Sequence, residues 1–343
     1  MRVIFDPDPD GPPSSLRAAA HAWQYCDATV SHHLVLQDDV EPTPVLLESV
    51  GRAIAAYPDA ALALYANSNS WHGAAARVAL LAGYGWVSWM PQQYFPTVAA
   101  VLPCHVAHEF AELAEQQGSG DAYGRHDDEL MLSFLTSGQY RALVRTSALV
   151  EHKAMPSIMG NDTEGIRRSV CLAAPDEFPA AGEKHLPELP AWPNFAYRRA
   201  MLKMPSKRSR TGLRRQDRAH HLITVGLHWE DLCALSNELW HELPRIPEPT
   251  ATARRYLQEL CLASYTLGWT LAAIQGPGPW SPPRLPSTDA PLRSYAEAGL
   301  AYQSAVDRWA DHFDILINFM WRVLELGRTR AWARLSELAC MRC

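Results

Sequence analysis

Apolar positions come in short runs separated by polar breaks through the first half of the chain, and in helical spacing through the last third. Residues 2 to 5 (Arg2-Val3-Ile4-Phe5) predict a strand, and the Asp/Pro/Gly stretch to Pro13 a loop. Ser14 and Ser15 then suit the N-cap of a helix from Leu16 to Tyr25. His33 to Leu36 reads as a strand, Val45 to Tyr57 as a helix stopped by Pro58-Asp59, and Ala61 to Tyr65 and Trp86 to Met90 as further strands. This alternation predicts an α/β fold with a doubly wound, mostly parallel sheet, in which ligands gather at the carboxyl ends of strands. Asp6, Asp39 and His152 all fall at such predicted ends.

From about Asn161 to His221 the period is lost among prolines and charges, as in Pro187-Glu188-Leu189-Pro190-Ala191-Trp192-Pro193. The helical pattern that follows covers Glu230 to Leu243, Thr250 to Ile274, and Leu292 to Leu338 as one long or two consecutive helices. The expected organisation is a first domain over 1–165, an irregular basic connection over 166–225, and an all-helical domain over 226–343 packed as a distinct layer. Asp307, Asp311 and Asp314 share one helical face there, and are expected to be a wet surface and no site.

A chain of 343 residues, 48% of them hydrophobic, suffices for two packed units. Its net charge of −6 argues against a dedicated nucleic-acid binder, which needs a basic face. The start lacks an apolar stretch of signal-peptide length, and no apolar run approaches the 18 or so residues of a membrane span. The seven cysteines are scattered and odd in number, as expected of reduced thiols packing as small hydrophobes in a cytoplasmic protein. Cys340-Met341-Arg342-Cys343 has chelating spacing but lacks two further ligands, and reads as a tail.

Candidate chemistry sits in three acidic places. His32-His33-Leu34-Val35-Leu36-Gln37-Asp38-Asp39-Val40 is an apolar run delivering paired carboxylates, which need a metal, a basic group or solvent when buried. His126-Asp127-Asp128-Glu129-Leu130 opens a second apolar segment with acid, and Val150-Glu151-His152 ends a strand in an imidazole. Each also has a plain structural reading: a polar turn, acid balancing a helix dipole, an isolated histidine.

Taken in that order, the three motifs resemble the GT-A glycosyltransferases, over roughly residues 1 to 162. The resemblance implies a GT-A-like sheet and transfer of a sugar from a nucleotide-sugar, most readily a UDP-sugar, to an unidentified acceptor (small molecule, glycan or peptide). Asp39, the last residue of the Gln37-Asp38-Asp39 triplet, would bind a divalent ion together with His152. Manganese or magnesium suits a site holding an imidazole. Gln37 or Asp38 would reach the donor's ribose or sugar, Asp6 and Asp8 its base or ribose, and Ser157 its diphosphate. Asp127 and Asp128 would open the helix beneath the acceptor site, with Asp128 the better match for the general base of an inverting enzyme. Gln37 departs from the family's first carboxylate. Only one strand-helix unit precedes His33 where the family has more, so either the chain begins upstream or the nucleotide pocket is pared down.

Trp71, Trp86, Trp89, Tyr94 and Phe95 lie in or beside loops expected to face the acceptor, although most of the 12 tryptophans must be core. Lys203, Lys207, Arg208, Arg210, Arg214, Arg215 and Arg218 form a basic run that reads as a solvated linker, or as a grip on a phosphate or anionic acceptor. It lacks the interleaved aromatics of an RNA binder. Two other readings stay open: a catalytically inactive binding or scaffold protein, and a metal-dependent nucleotidyltransferase or phosphohydrolase. No Gly-rich phosphate loop is present. A homo-oligomer formed through the helical domain is a further expectation.

Overall fold

The structure, a computed structural model, describes residues 2–11, 14–26, 29–91, 93–118, 126–153, 165, 167–174, 182–207, 212–276 and 289–340, with backbone alone at 118 and 334–340. Ser14 caps α1 (Ser15–Gln24) by accepting from the Arg17 N–H, as its place before the helix demands. The residues expected to form a first strand do not pair: Val3 and Phe5 are exposed, since no neighbouring edge meets them.

Six strands make the main sheet: β1 (His32–Leu36), β3 (Ala61–Ala63), β4 (Trp86–Ser88), β5 (Ala99–Pro103), β6 (Ala142–Arg145) and β8 (His185–Leu186). Their spatial order is β1-β5-β3-β6-β4-β8. The sheet is mixed. β3·β6 and β4·β8 run parallel, whereas β1·β5, β3·β5 and β4·β6 run antiparallel. The parallel pairing expected from strand–helix alternation is thus confined to two ladders. β5 enters between β1 and β3 in the opposite sense, through long-range pairing that no local pattern announces. Apart from this sheet, β2 (Val40–Pro42) pairs antiparallel with β7 (Val150–His152), with Val40 opposite His152.

Period-two alternation sends successive strand residues to opposite faces. Ala61, Ala63, Ala100, Leu102 and Val144 join one apolar layer, while Leu62, Leu64, Val101 and Leu143 join another. The second layer is closed by α2 (Leu46–Ala56) through Val50 and Ala53. The first layer takes in α3 (Trp71–Leu81), α4 (Cys104–Gly118) and α5 (Asp127–Ser137) and continues without a break into the helical region.

Residues expected to form an irregular connection instead build a three-stranded antiparallel sheet, β9 (Trp192–Ala196), β10 (Arg199–Pro205) and β11 (Leu213–Arg215), followed by α6 (Arg218–Val225). The sequence hides it because Pro193 and the cations obscure the alternation. The β9–β10 turn also places Tyr197 and Arg198 at φ 50° and 55° without a glycine or asparagine to signal it. Beyond it come α7 (Trp229–Glu242), α8 (Thr250–Gln275), α9 (Ala290–Leu300), α10 (Gln303–Trp309) and α11 (Phe313–Cys340). α8 and α11 cross closely at Gly268 and Gly327, where any Cβ would collide with the Leu324 and Tyr265 carbonyls. Arg77 on α3 ties the regions together: wholly buried, it donates to the Pro291 carbonyl (2.9 Å) and Ser294 Oγ (3.2 Å). Asp307, Asp311 and Asp314 are exposed, and no helix among the described residues is long and apolar enough to cross a membrane.

Cys26 and Cys104 are joined as a disulfide with their Cα atoms 5.7 Å apart, fastening the chain after α1 to the start of α4. This corrects the expectation of reduced thiols for these two. Cys233 and Cys261 are free thiols.

Candidate functional site

β1 ends at Leu36, and Gln37-Asp38-Asp39 forms the turn into β2. Because β2 pairs with β7, that turn meets the strand end carrying His152: His152 Nε2 lies 3.0 Å from Asp39 Oδ2. The backbones are locked there as well, the Lys153 N–H donating to the Asp39 carbonyl at 2.7 Å. His152 is 8% exposed. The hydrogen bond from His152, helped by the charge of Arg167, holds the Asp39 carboxyl below its ordinary range against the opposing effect of burial.

Two ligand atoms of the pair, Asp39 Oδ1 and His152 Nδ1, are buried and meet no hydrogen-bond partner among the described residues. The fit to a divalent ion can be judged from that donor set. Two ligands at about 2.1 Å and at right angles stand about 3.0 Å apart, so one carboxylate and one imidazole could share an octahedral ion and leave positions for phosphate and water. Against this, the described residues hold no third His, Cys, Asp or Glu in the group, and Nδ1 lacks the acceptor that usually orients a metal-binding imidazole. The residues fit as a two-ligand site and equally as a closed hydrogen-bonded pair.

Glu151 faces the other way. Its carboxylate accepts from the Ser169 N–H (2.8 Å), Ser169 Oγ (2.7 Å) and the His152 N–H (3.0 Å), fixing the segment at 167–170 beside β7. That segment brings Arg167 near Asp39, and its carbonyl accepts from the Tyr65 hydroxyl at 2.6 Å. Tyr65, fully buried, has its hydroxyl pushed far above the usual value, and its ring stands 6.4 Å from that of His152. Nothing local in the sequence marked Arg167 or Ser169, whose roles depend on this long-range return of the chain.

The first residue of the triplet reaches the second acidic cluster. Gln37 Nε2 donates to Thr97 Oγ1 (3.3 Å) and to Asp127 Oδ2 (3.4 Å). A three-residue turn thus carries contacts to both His152 and Asp127, which brings three sequence motifs to one place. Asp127 and Asp128 open α5, where acid favours the helix dipole. Asp127 is buried, its N–H bonded to Ser15 Oγ at 3.2 Å. Asp128 has no cation beside it among the described ion pairs, and burial together with the Asp127 charge pushes its carboxyl up to about 6.

Other expected contacts fall elsewhere. The Asp6 carboxylate is clamped by Arg17 (2.6 and 2.7 Å) and so is already neutralised by the chain itself, while Asp8 is exposed. Asp38 is exposed and Ser157 lies outside the described residues. Trp86, Trp89 and Phe95 are core, because the strands they flank are buried on both faces; Trp71 and Tyr94 remain partly exposed. No family model, no curated protein and no solved structure matches the chain.

Proposed function

We propose that the protein is a glycosyltransferase of GT-A type that moves a sugar from a nucleotide-sugar, with inversion, onto an acceptor hydroxyl. The observation that supports the reading most is the Gln37-Asp38-Asp39 turn, which touches His152 at one end and Asp127 at the other. Asp39 and His152 would hold manganese or magnesium, which when bound supplies positive charge against the leaving diphosphate. Asp128 takes the proton of the acceptor hydroxyl as its oxygen attacks C1 of the sugar, and the nucleoside diphosphate departs with the electrons of the broken bond. A carboxyl raised to about 6 is ionised at neutral pH yet is a better proton acceptor than an ordinary aspartate. Arg167 adds a cation on the diphosphate side.

A second reading, a binding protein without activity, is favoured by the way Asp39 and His152 already satisfy each other. Thermal shift across a panel of nucleoside diphosphates, with and without manganese, separates the two. A ligand at a hundred times its Kd stabilises by about 2.7 kcal/mol. Manganese-dependent stabilisation by one nucleotide is expected; stabilisation without turnover of any nucleotide-sugar leaves the binding protein, and no stabilisation ends the transferase reading.

A further inference from the structure

β10 and β11 place Lys203 directly opposite Arg215. Like charges facing each other across an antiparallel ladder destabilise it, and no carboxylate pairs with either among the described residues. Alternation puts Arg199 on the same face. α8 packs the opposite face, where the Ala200 N–H donates to Glu259. Lys203 is half-buried, and burial together with Arg215 holds its ammonium below the ordinary lysine value.

The Lys203 ammonium sits 3.9 Å over the ring of Trp71, the first residue of α3, so Lys203 stands at a helix N-terminus whose Ser70 side chain caps the Gly73 N–H. Two polar side chains beneath them are unmet. Asn194, opposite Met201 and hence on the Lys203 face, is 2% exposed and donates to the Asn69 carbonyl at 3.2 Å, but its Oδ1 has no partner. His72 is 1% exposed and stands by the Met90 backbone, yet neither ring nitrogen reaches hydrogen-bond geometry. A buried polar group without a partner destabilises the fold. Cations that face each other with no carboxylate between them among the described residues are relieved by a ligand bearing negative charge.

This face continues from the candidate centre. His72 lies edge-on to Tyr94 at 5.6 Å, Tyr94 is close enough to raise the Tyr65 hydroxyl, and Tyr65 stands beside His152. Asp39 and His152 lie at one end of this row of rings, and Lys203, close enough to act on the His72 ring, at the other. We infer that Lys203, at the first turn of α3, and Arg215 opposite it bind the phosphate of a phosphorylated, hydroxyl-bearing acceptor. The acceptor role rests on the transferase reading; the phosphate site does not.

The test uses the full chain, with inorganic pyrophosphate as probe, no divalent ion present, and isothermal titration as readout. Wild type is expected to bind saturably, Lys203→Ala and Arg215→Ala each to weaken binding about tenfold, matching about 1.4 kcal/mol per lost charge-assisted contact, and the double variant to lose it. Lys203→Arg keeps the charge and should keep most of the affinity, and Asp39→Asn should leave it unchanged. Since removing Arg215 relieves repulsion and leaves the Lys203–Trp71 contact in place, the thermal midpoint of Arg215→Ala should not fall, which separates lost binding from lost folding. No saturable binding by wild type, equal binding by the double variant, or equal weakening by Asp39→Asn would overturn the proposal. Failure of manganese-dependent nucleotide binding, with pyrophosphate binding intact, would remove the transferase reading alone.

Discussion

Two aspartates less than a hundred residues apart are treated in opposite ways by the same fold. Asp39 lies 3.0 Å from an imidazole and near Arg167, and its carboxyl is held low; Asp128 has another carboxylate for its neighbour and is raised to about 6. Burial acts on both. At Asp39 a hydrogen bond and a cation outweigh it, and at Asp128 nothing does. Environments that drive two carboxyls apart in this way are how one site keeps a fixed negative charge and a proton acceptor side by side.

The largest effect should come from removing the acceptor. Asp128→Asn keeps the shape but cannot take a proton, and transfer is expected to fall about 10²- to 10⁴-fold with nucleotide affinity nearly unchanged. Activity above roughly a tenth of wild type, as read by nucleoside diphosphate release, would move the base to Asp127 or Glu129, or bring back a retaining mechanism.

Asp39→Asn probes the other pole. Manganese-dependent stabilisation by nucleotide, about 2.7 kcal/mol at a hundredfold excess over Kd, should disappear from the melting curve, while binding of pyrophosphate alone persists. An unchanged shift would mean that the pair is structural only.

The pH profile should divide along the same line. A base of pKa about 6 makes transfer fall about tenfold for each pH step below that value. The low Asp39 carboxyl stays ionised over this whole range, so Asp39 itself should add no step to nucleotide binding above pH 5. A transfer profile flat from pH 7 to 5 would end the assignment of Asp128.

Stability gives the smallest signal, and its signs are opposed. Asp39, depressed in the folded state, contributes stability that is present above the ordinary carboxyl value near 3.8 and lost as pH falls through the folded value. Asp128 is raised from 3.8 to about 6, so between these the folded chain keeps a proton that the unfolded chain has released, and stability declines as pH rises across that window. At pH 7 Asp128→Asn should therefore melt higher, by about 2 °C, and Asp39→Asn lower. Equal shifts in one direction would show that the two environments do not differ.

Much of this was legible because it is local. Ser14 before an apolar run, the apolar strand His33 to Leu36 ending at Gln37, and the acid opening α5 are contacts or preferences within a few residues, and those elements form where the pattern places them. The same holds for α7 and α8, whose helical period is long enough to be unambiguous. The strands β9 to β11 were not legible, since the turn at Tyr197 and Arg198 uses residues that rarely take positive φ and is held by partners such as the Gly299 carbonyl accepting from the Arg198 N–H.

By itself the sequence determined the chemistry to be positioned: which residues are carboxylates, imidazole and cations, and which short segments present them. The tertiary structure decided which of them meet. The antiparallel entry of β5, the bridge from Cys26 to Cys104, the hydrogen bond from Gln37 to Asp127 across 90 positions, and the opposition of Lys203 to Arg215 all arise from pairings between distant segments. The clamp of Arg17 on Asp6, by contrast, spans only 11 positions and still withdraws a candidate ligand. A carboxyl's pKa depends on desolvation and on charges within a few ångströms, and those distances exist only once the chain has folded.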